Sequence, residues 1–222
     1  QMFNRIVSNS ERYLFHIVEE VERRGMPMEI ALIPVVESSY NPLVKATPGN
    51  PSTGLWQFVP RTGKHLGLSQ TIWYDDRRDV IASTEAALNY LQYLYDRFDS
   101  WELAIASYNI GEGVVGKILA KTPAKDKAKG FYQLNLPIEA KQYVYKLLVV
   151  KDIIANSKKY GIKLRPVPNR PYFDTVKIHK PIEVPVVARL ANISETEFTK
   201  LNPAYNGFVV KVFDEPRTLL LP

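Results

Sequence analysis

Apolar positions repeat at helical spacing from the start of the chain up to Gly161. Between residues 3 and 21 they recur every three or four positions with one polar interruption at Ser10, which predicts a first helix. A second helical segment covers residues 28–38, and Pro34 inside it is expected to bend it, because proline removes a backbone hydrogen bond. The chain is therefore predicted to start with two helices.

Further helical segments follow a loop over residues 41–53, which is rich in proline, glycine and asparagine. They are predicted at residues 55–66, 79–98, 101–109, 114–119 and 137–160. Gly111 separates the third from the fourth, and Tyr145 and Leu148 lie on the apolar side of the last. Residues 121–130 have no apolar period and are predicted to form a mobile connection. Together with the first two, these segments predict about seven helices and no clear strand up to Gly161.

The pattern changes beyond these helices. Three closely spaced prolines make residues 164–171 a stiff linker. Residues 173–178 and 218–221 are rich in β-forming side chains and predict two strands. Between them, residues 186–192 predict one short helix, and Ser194 with a glutamate three residues later forms a capping box for a second.

These elements predict a mainly α fold. Residues 1–163 form a helical domain, residues 164–171 a proline-rich linker, and residues 172–222 a small α+β unit of βααβ order. With 222 residues and 45% hydrophobic content, the chain is long enough for one helical domain and a smaller appendage. We expect a monomer.

The formal net charge of +6 favours polyanionic partners in general. Its basic residues are scattered, with short pairs at 23–24, 77–78 and 158–159, and they form no arm or stripe of the kind that nucleic-acid-binding proteins show. Nucleic acid is therefore not an expected partner.

Metal, cofactor and membrane-spanning sites are not expected either. Cysteine is absent, and His16, His65 and His179 lie far apart without the spacing of metal ligands. No apolar run approaches the ~20 residues that cross a bilayer.

One carboxylate stands out from its surroundings. Glu37 closes the almost entirely apolar segment 30–36. Apolar surroundings disfavour the charged form of a carboxyl and raise its pKa toward working pH, where the group can donate a proton and take one back. The alternative is a solvated glutamate at a helix end.

Short motifs in a fixed order decide between these interpretations. They are Glu-Ser at 37–38, Gly-Leu-Trp-Gln-Phe at 54–58, Trp-Tyr-Asp-Asp-Arg-Arg-Asp-Val at 73–80, Tyr-Asn-x-Gly-x-Gly at 108–113 and Leu-Pro-Ile-Glu-Ala-Lys-Gln-Tyr-Val at 136–144. At these places the chain resembles the lytic transglycosylases of the goose-type lysozyme-like superfamily, most closely the membrane-bound lytic murein transglycosylase D group. The resemblance covers about residues 25–160 and implies a lysozyme-like (SLT-type) catalytic domain.

The resemblance also implies roles for single residues. Glu37 matches the catalytic acid and base, Gln57 the amide that contacts substrate, and Tyr143 the phenol that hydrogen-bonds the glutamate. Tyr108 and Asn109 match groups that line the sugar cleft. Ser38, the second residue of the first motif, is grouped with the substrate-binding residues. Trp56 and Phe58 in the second motif are expected to pack rather than to stack on sugar.

The loop after the glutamate departs from the family pattern. The family carries a serine before a Gly-Ala turn, whereas residues 45–53 here read Lys-Ala-Thr-Pro-Gly-Asn-Pro-Ser-Thr. Thr47, taken as the substrate-binding candidate, or Ser52 would supply that hydroxyl.

The implied reaction uses a single carboxylate. Asp75, Asp76 and Asp79 stand beside two arginines and are expected to pair and to cap a helix instead of entering the cleft. The family cleaves the β-1,4 bond between N-acetylmuramic acid (MurNAc) and N-acetylglucosamine (GlcNAc) and closes a 1,6-anhydro ring with the sugar's own hydroxyl, without a cofactor. A lysozyme-type hydrolase of the same fold and a non-catalytic wall-binding scaffold are the alternatives.

The tail resembles a LysM module, a small βααβ fold that binds GlcNAc-containing glycans. Leu-Asn-Pro at 201–203 and the segment 218–222 carry this resemblance, and a simple packing appendage is the alternative. Peptidoglycan strands are then the expected partner. The expected location is the periplasm of a Gram-negative bacterium, with attachment to the outer membrane through a segment outside this chain.

Overall fold

The structure is a computed structural model that describes residues 2–127, 130–213 and 215–222. Its α-helices, in chain order, are α1 (Met2–Ser10), α2 (Leu14–Arg23), α3 (Ile33–Ser38), α4 (Pro60–His65), α5 (Val80–Phe98), α6 (Trp101–Ile110), α7 (Glu112–Lys121), α8 (Ala124–Lys127), α9 (Ile138–Ala155), α10 (Val184–Leu190) and α11 (Glu195–Leu201). Short 3-10 helices cover Met28–Leu32, Asp76–Arg78 and Phe131–Gln133. The strands are β1 (Asp174–Ile178), β2 (Ile182–Glu183), β3 (Val209–Val210) and β4 (Arg217–Leu221). The prediction of a mainly α fold is confirmed.

The chain divides into two compact units. One contains residues 1–86 together with 163–222, and the other contains residues 87–162. The domain boundaries drawn from the sequence stay a prediction.

The first predicted helix is in fact two helices, so that prediction was wrong. The chain turns over residues 11–13, where Ser10 donates its hydroxyl to the carbonyl of Val7 at 3.0 Å. A serine that bonds back to its own helix competes with the helical ladder. The turn brings Tyr13 into the core with 1% of its surface exposed.

The second predicted helix is also divided. A 3-10 helix over Met28–Leu32 precedes α3, so Pro34 lies in the first turn of a new helix instead of bending an old one. A missing N–H is harmless there, because the first amides of a helix have no partner within it.

The predicted helix at 55–66 is shorter than expected. Residues 54–57 form a turn closed by a bridge between Thr53 and Phe58, and α4 starts only at Pro60.

In the unit of residues 87–162, the predictions for α6, the break at Gly111 and α7 are confirmed. The predicted connection 121–130 is not wholly irregular, because it contains α8; Ala128 and Lys129 lie outside the described residues. The predicted apolar side of α9 was wrong. Tyr145 and Leu148 are 44% and 37% exposed, whereas the neighbouring face with Val144 and Leu147 is buried.

The tail has the predicted βααβ order with one addition. β1 and β4 pair antiparallel, and a second pair, β2 with β3, lies inside the unit. Strands of two residues are too short to leave a period in the sequence. The core consists of Val184, Val187, Phe198, Val210 and Leu219.

The Leu-Asn-Pro motif of the tail has a clear structural role. Asn202 is buried, and its amide donates to the carbonyls of Phe198 at 3.2 Å and Leu220 at 2.8 Å. Its oxygen accepts the backbone N–H of Leu220 at 2.8 Å. One side chain therefore joins the end of α11 to β4.

The predicted capping box is half formed. Ser194 accepts the N–H of Glu197 at 3.0 Å, but the Glu197 carboxylate binds Arg12 instead of returning to the serine.

Candidate functional site

Glu37 is the second-last residue of α3 and is half-buried. The helix is anchored by Ile33 and Val35, which are 0% and 9% exposed. Most of the apolar segment 30–36 is therefore buried, and its last four residues belong to the helix that presents the carboxyl.

The chain leaves α3 through two unusual backbone conformations. Ser39 and Tyr40 have φ of 54° and 58°, a region that costs a non-glycine residue about 1–3 kcal/mol and persists only where the surroundings hold it. Tyr40 is buried, its N–H donates to the carbonyl of Pro34 at 3.0 Å, and its hydroxyl donates to that of Ala31 at 2.6 Å. Asn9 donates to the carbonyl of Ser39 at 3.0 Å. These bonds fix the direction in which α3 ends.

Ser38 joins this helix to the second motif. Its side chain is buried, and its hydroxyl lies 2.9 Å from the carbonyl oxygen of Leu55 and 3.1 Å from that of Pro34. The serine after the glutamate therefore connects two parts of the site through the backbone of residue 55.

Gln57 is held at both ends of its amide. Its nitrogen donates to the carbonyl of Gly54 at 2.7 Å, and its oxygen lies 2.7 Å from the hydroxyl of Ser52. The same hydroxyl lies 2.6 Å from Oδ1 of Asn50, and its single hydrogen serves one acceptor at a time. Gln57 itself has φ of 53°. Its orientation is therefore set by its own loop.

The structure brings Ser52, and not Thr47, to Gln57. Thr47 is exposed at a tight turn in which its backbone pairs with that of Asn50. Spacing and composition alone do not show which of the two hydroxyls replaces the serine of the family loop.

The packing roles predicted for the two aromatic residues of this motif are confirmed. Trp56 is fully buried and donates its indole N–H to the hydroxyl of Thr84 at 3.0 Å. Phe58 is 3% exposed. Neither ring offers an open face to a sugar.

Two of the three aspartates have the pairing and capping roles predicted for them. Asp75 forms an ion pair with Arg77 at 2.8 Å and accepts its backbone N–H at 3.1 Å, and Asp79 accepts the N–H of Ala82 at 2.8 Å at the start of α5. Asp76 instead binds the loop before the segment, because it accepts the N–H of Ser69 at 2.7 Å. All three carboxylates are therefore bound to neighbouring groups.

The other unit carries the remaining predicted residues. Tyr108 and Asn109 lie in the last turn of α6, before Gly111 with φ of 90°. Asn109 Oδ1 is buried without a hydrogen-bond partner among the described residues. A buried acceptor without a partner needs an explanation, and a bound ligand is one. Tyr143 is buried on α9 with 6% of its surface exposed.

Glu112 occupies a variable position of the Tyr-Asn-x-Gly-x-Gly motif, and the sequence predicts no role for it. Tyr90 donates its hydroxyl to this carboxylate at 3.0 Å, and Arg97 lies 3.5 Å from it. Burial, together with this bond, raises the pKa of the Tyr90 hydroxyl. The Tyr90 ring centroid is 6.0 Å from that of Tyr108, so the tyrosine that binds Glu112 lies beside a predicted cleft residue. In the sequence, only its position in the motif points to Glu112.

Within residues 2–127, 130–213 and 215–222, no cluster of three or more histidine or acidic side chains could hold a metal ion. None of the helices in these ranges combines the length and apolarity needed to span a bilayer.

Comparison with known proteins gives two family matches. Residues 16–131 match the family described as Transglycosylase SLT domain, and residues 172–222 match the LysM-like domain of lytic transglycosylase MltD. The predicted fold class, a lysozyme-like helical part followed by a LysM-like unit, is confirmed.

Relatives of known name agree with these matches. The chain is 42% identical over 203 residues to the membrane-bound lytic murein transglycosylase D of two Escherichia coli strains. The aligned region is 91% of this chain but 44% of each relative, so the chain spans less than half the length of these proteins.

Proposed function

The chain belongs to the transglycosylase SLT family and ends in a LysM-like unit, and from this premise we propose that it is a peptidoglycan lytic transglycosylase. The proposal depends on how the chain is arranged around the Glu37 carboxyl. Glu37 stands at the end of a buried helix, and the next residue bonds that helix to the loop that presents Gln57. No metal or cofactor enters the proposal.

The proposed reaction has two proton transfers through the same group. Glu37 donates its proton to the oxygen of the β-1,4 bond between MurNAc and GlcNAc, the bond to the muramic anomeric carbon breaks, and GlcNAc leaves with a free 4-hydroxyl. The muramic acetamido group stabilises the positive charge that develops. The Glu37 carboxylate then takes the proton of the muramic 6-hydroxyl, whose oxygen bonds to the anomeric carbon and closes the 1,6-anhydro ring.

This route needs only a single carboxylate. Ordinary glycosidases use a second carboxylate as nucleophile or as base for water. The aspartates at 75, 76 and 79 are bound to other groups. An intramolecular hydroxyl has a high effective concentration and needs no positioned water.

The other residues are proposed to hold the substrate. Gln57, oriented by Ser52, contacts the sugar beside the scissile bond, and Ser38 keeps that loop against the glutamate helix. We keep Thr47 as a candidate contact at the rim of the loop. For the second unit the roles rest on the family resemblance: Tyr108 and Asn109 line the cleft, which suits the unpartnered oxygen of Asn109, and Tyr143 supports the catalytic carboxyl.

We place the activity on peptidoglycan strands in the periplasm of a Gram-negative bacterium. Support comes from the relatives, whose name describes membrane-bound murein transglycosylases.

Mass analysis of purified peptidoglycan digested with the protein tests the proposal. Soluble fragments should carry muramic ends that are lighter by one water than hydrolysed ends. Hydrolysed ends would identify a hydrolase of the same fold, and binding without soluble fragments would identify a wall-binding scaffold. Glu37→Gln serves as the control for contaminating enzymes.

A further inference from the structure

The segment from Asp75 to Arg78 matches a family motif but has no role in the reaction described so far. Arg77 in this segment is 7% exposed. One nitrogen of its guanidinium, Nη1, donates to the carbonyl of Pro51 at 3.1 Å and to that of Phe58 at 3.2 Å. These two carbonyls stand at the two ends of residues 51–58, which we call the Gln57 loop. A single side-chain nitrogen therefore holds the loop closed at its base.

The guanidinium is itself held in place. Asp75 accepts from its Nε at 3.0 Å and from Nη2 at 2.8 Å, a bidentate pair that fixes the plane of the group. The paired orientation leaves Nη1 directed at the loop. Four of the five N–H donors of the arginine are used in this way.

The Gln57 loop also packs directly on the backbone of this segment. A Cβ added to Gly54 would lie 2.1 Å from the carbonyl oxygen of Arg77, and Gly54 has φ of 81°. Gly54 is the residue whose carbonyl receives the amide of Gln57. A shift of the Arg77 backbone would therefore displace Gly54, whose carbonyl orients Gln57.

Backbone bonds fix the segment from its other side. Asp75 donates its N–H to the carbonyl of Ala204 at 3.0 Å, and the N–H of Asn206 donates to the carbonyl of Trp73 at 2.9 Å. The side chain of Arg78 donates to Asn206. The two neighbouring arginines thus have different tasks: Arg78 binds the tail, and Arg77 binds the Gln57 loop.

We propose that Arg77 is a positioning residue for the reaction, which acts by holding the Gln57 loop in the shape that orients the Gln57 amide. The inference rests on the proposed function. Lysine cannot replace it, because one ammonium group cannot pair with Asp75 in two bonds and also reach both carbonyls.

The test compares Arg77→Lys with Arg78→Lys, an equally buried neighbour, in steady-state cleavage of soluble glycan strands. Misplacement of a substrate contact by about 1 Å can lower rates by about 100-fold, so we expect kcat of Arg77→Lys to fall by about 10- to 100-fold with little change in KM. Arg78→Lys should keep kcat within about twofold. Equal kcat values for the two variants, both folded, would overturn the proposal.

A double variant tests whether Arg77 acts through Gln57. If it does, adding Arg77→Lys to Gln57→Ala should change kcat by no more than about twofold, because the group that the arginine orients is already gone. If kcat of the double variant falls by the product of the two separate losses, Arg77 does not act through Gln57. If Arg77→Lys does not fold, Asp75→Asn takes its place in both comparisons, and a parent-like kcat of the folded variant overturns the proposal.

Failure of the Arg77 proposal can be distinguished from failure of the proposed function. An active Glu37→Gln would remove the proposed function itself. An inactive Glu37→Gln together with a fully active Arg77→Lys would leave the function standing and remove only the role of Arg77.

Discussion

The region around Glu37 and the LysM-like tail are both tightly bonded, but their bonds serve different ends. Around Glu37, side chains bind the backbone of the loop that presents Gln57, as Ser38 and Arg77 do. In the tail, Asn202 joins two elements of the fold and Glu197 binds Arg12 on the turn before α2. Substitutions in the first region should therefore reduce turnover with little change in stability. Substitutions in the tail should reduce stability with little change in turnover.

The largest effect should follow Glu37→Gln, which keeps the shape of the side chain and removes its proton chemistry. Acid and base catalysis by one group contributes about 100- to 10,000-fold, and here the same group serves both steps, so we expect a loss of at least about 1,000-fold. The thermal midpoint should stay close to that of the parent. Release of soluble fragments and a melting curve measure the two quantities, and Glu22→Gln on an exposed position of α2 is the control. A parent-like rate would contradict the assignment of the site.

Phe198→Ala probes the other side of the comparison. The ring is 1% exposed at the centre of the tail core, and removing such a ring costs about 3–5 kcal/mol of unfolding free energy. Denaturant unfolding should show this loss, while kcat at a temperature where the variant is folded should match the parent. Phe208→Ala is the matched control, since that ring is 82% exposed and its loss should change stability by less than about 0.5 kcal/mol. A kcat that falls in the folded Phe198→Ala variant would give the tail a part in turnover.

Ser52→Ala and Thr47→Ala separate the two hydroxyls that the sequence left open. A neutral hydrogen bond contributes about 1 kcal/mol, so loss of the Ser52 bond to Gln57 should lower kcat by about fivefold. Thr47→Ala should lower kcat less, by no more than about twofold, because an exposed contact at the rim of the loop contributes less than the hydroxyl that orients Gln57. The opposite ranking would make Thr47 the functional hydroxyl.

Glu197→Gln should have the smallest effect, confined to stability. Burial raises the pKa of Glu197, but hydrogen bonds from Arg12 and Tyr172 outweigh it and lower the pKa below its ordinary value of 4.5. A carboxylate with a lowered pKa adds stability that is complete above pH 4.5 and is lost as the pH falls below it. After allowance for solvent screening, the variant should lose about 0.5–1 kcal/mol at neutral pH.

Unfolding measured across pH checks this prediction. The stability curves of parent and Glu197→Gln should approach each other in acid, because the parent loses the contribution that the variant lacks throughout. Curves that stay parallel down to low pH would show that the carboxylate contributes nothing through its charge.

Regular periodicity explains why much of the fold could be predicted. The helices α5, α6 and α7 repeat their apolar residues at helical spacing, and β1 and β4 are rich in β-forming side chains. The failures occur where one side chain or the packing of neighbours decides the outcome. Ser10 ends a helix through its own hydroxyl, and α9 has apolar residues on more than one side, so spacing alone did not show which side is buried.

The site was predictable only in part, for a related reason. Sequence motifs indicated Glu37 and Gln57, because their order along the chain is that of the family. Contacts between residues distant in sequence leave no such trace. The bonds from Arg77 to the Gln57 loop cross 26 and 19 positions, and only the folded chain shows them.

The most direct test of the central claim is a digestion of peptidoglycan in water enriched in heavy oxygen. If Glu37 carries both proton transfers and the muramic 6-hydroxyl closes the ring, the new muramic ends should contain none of the heavy isotope. Heavy oxygen at those ends would mean that water attacks the anomeric carbon, and it would contradict the account.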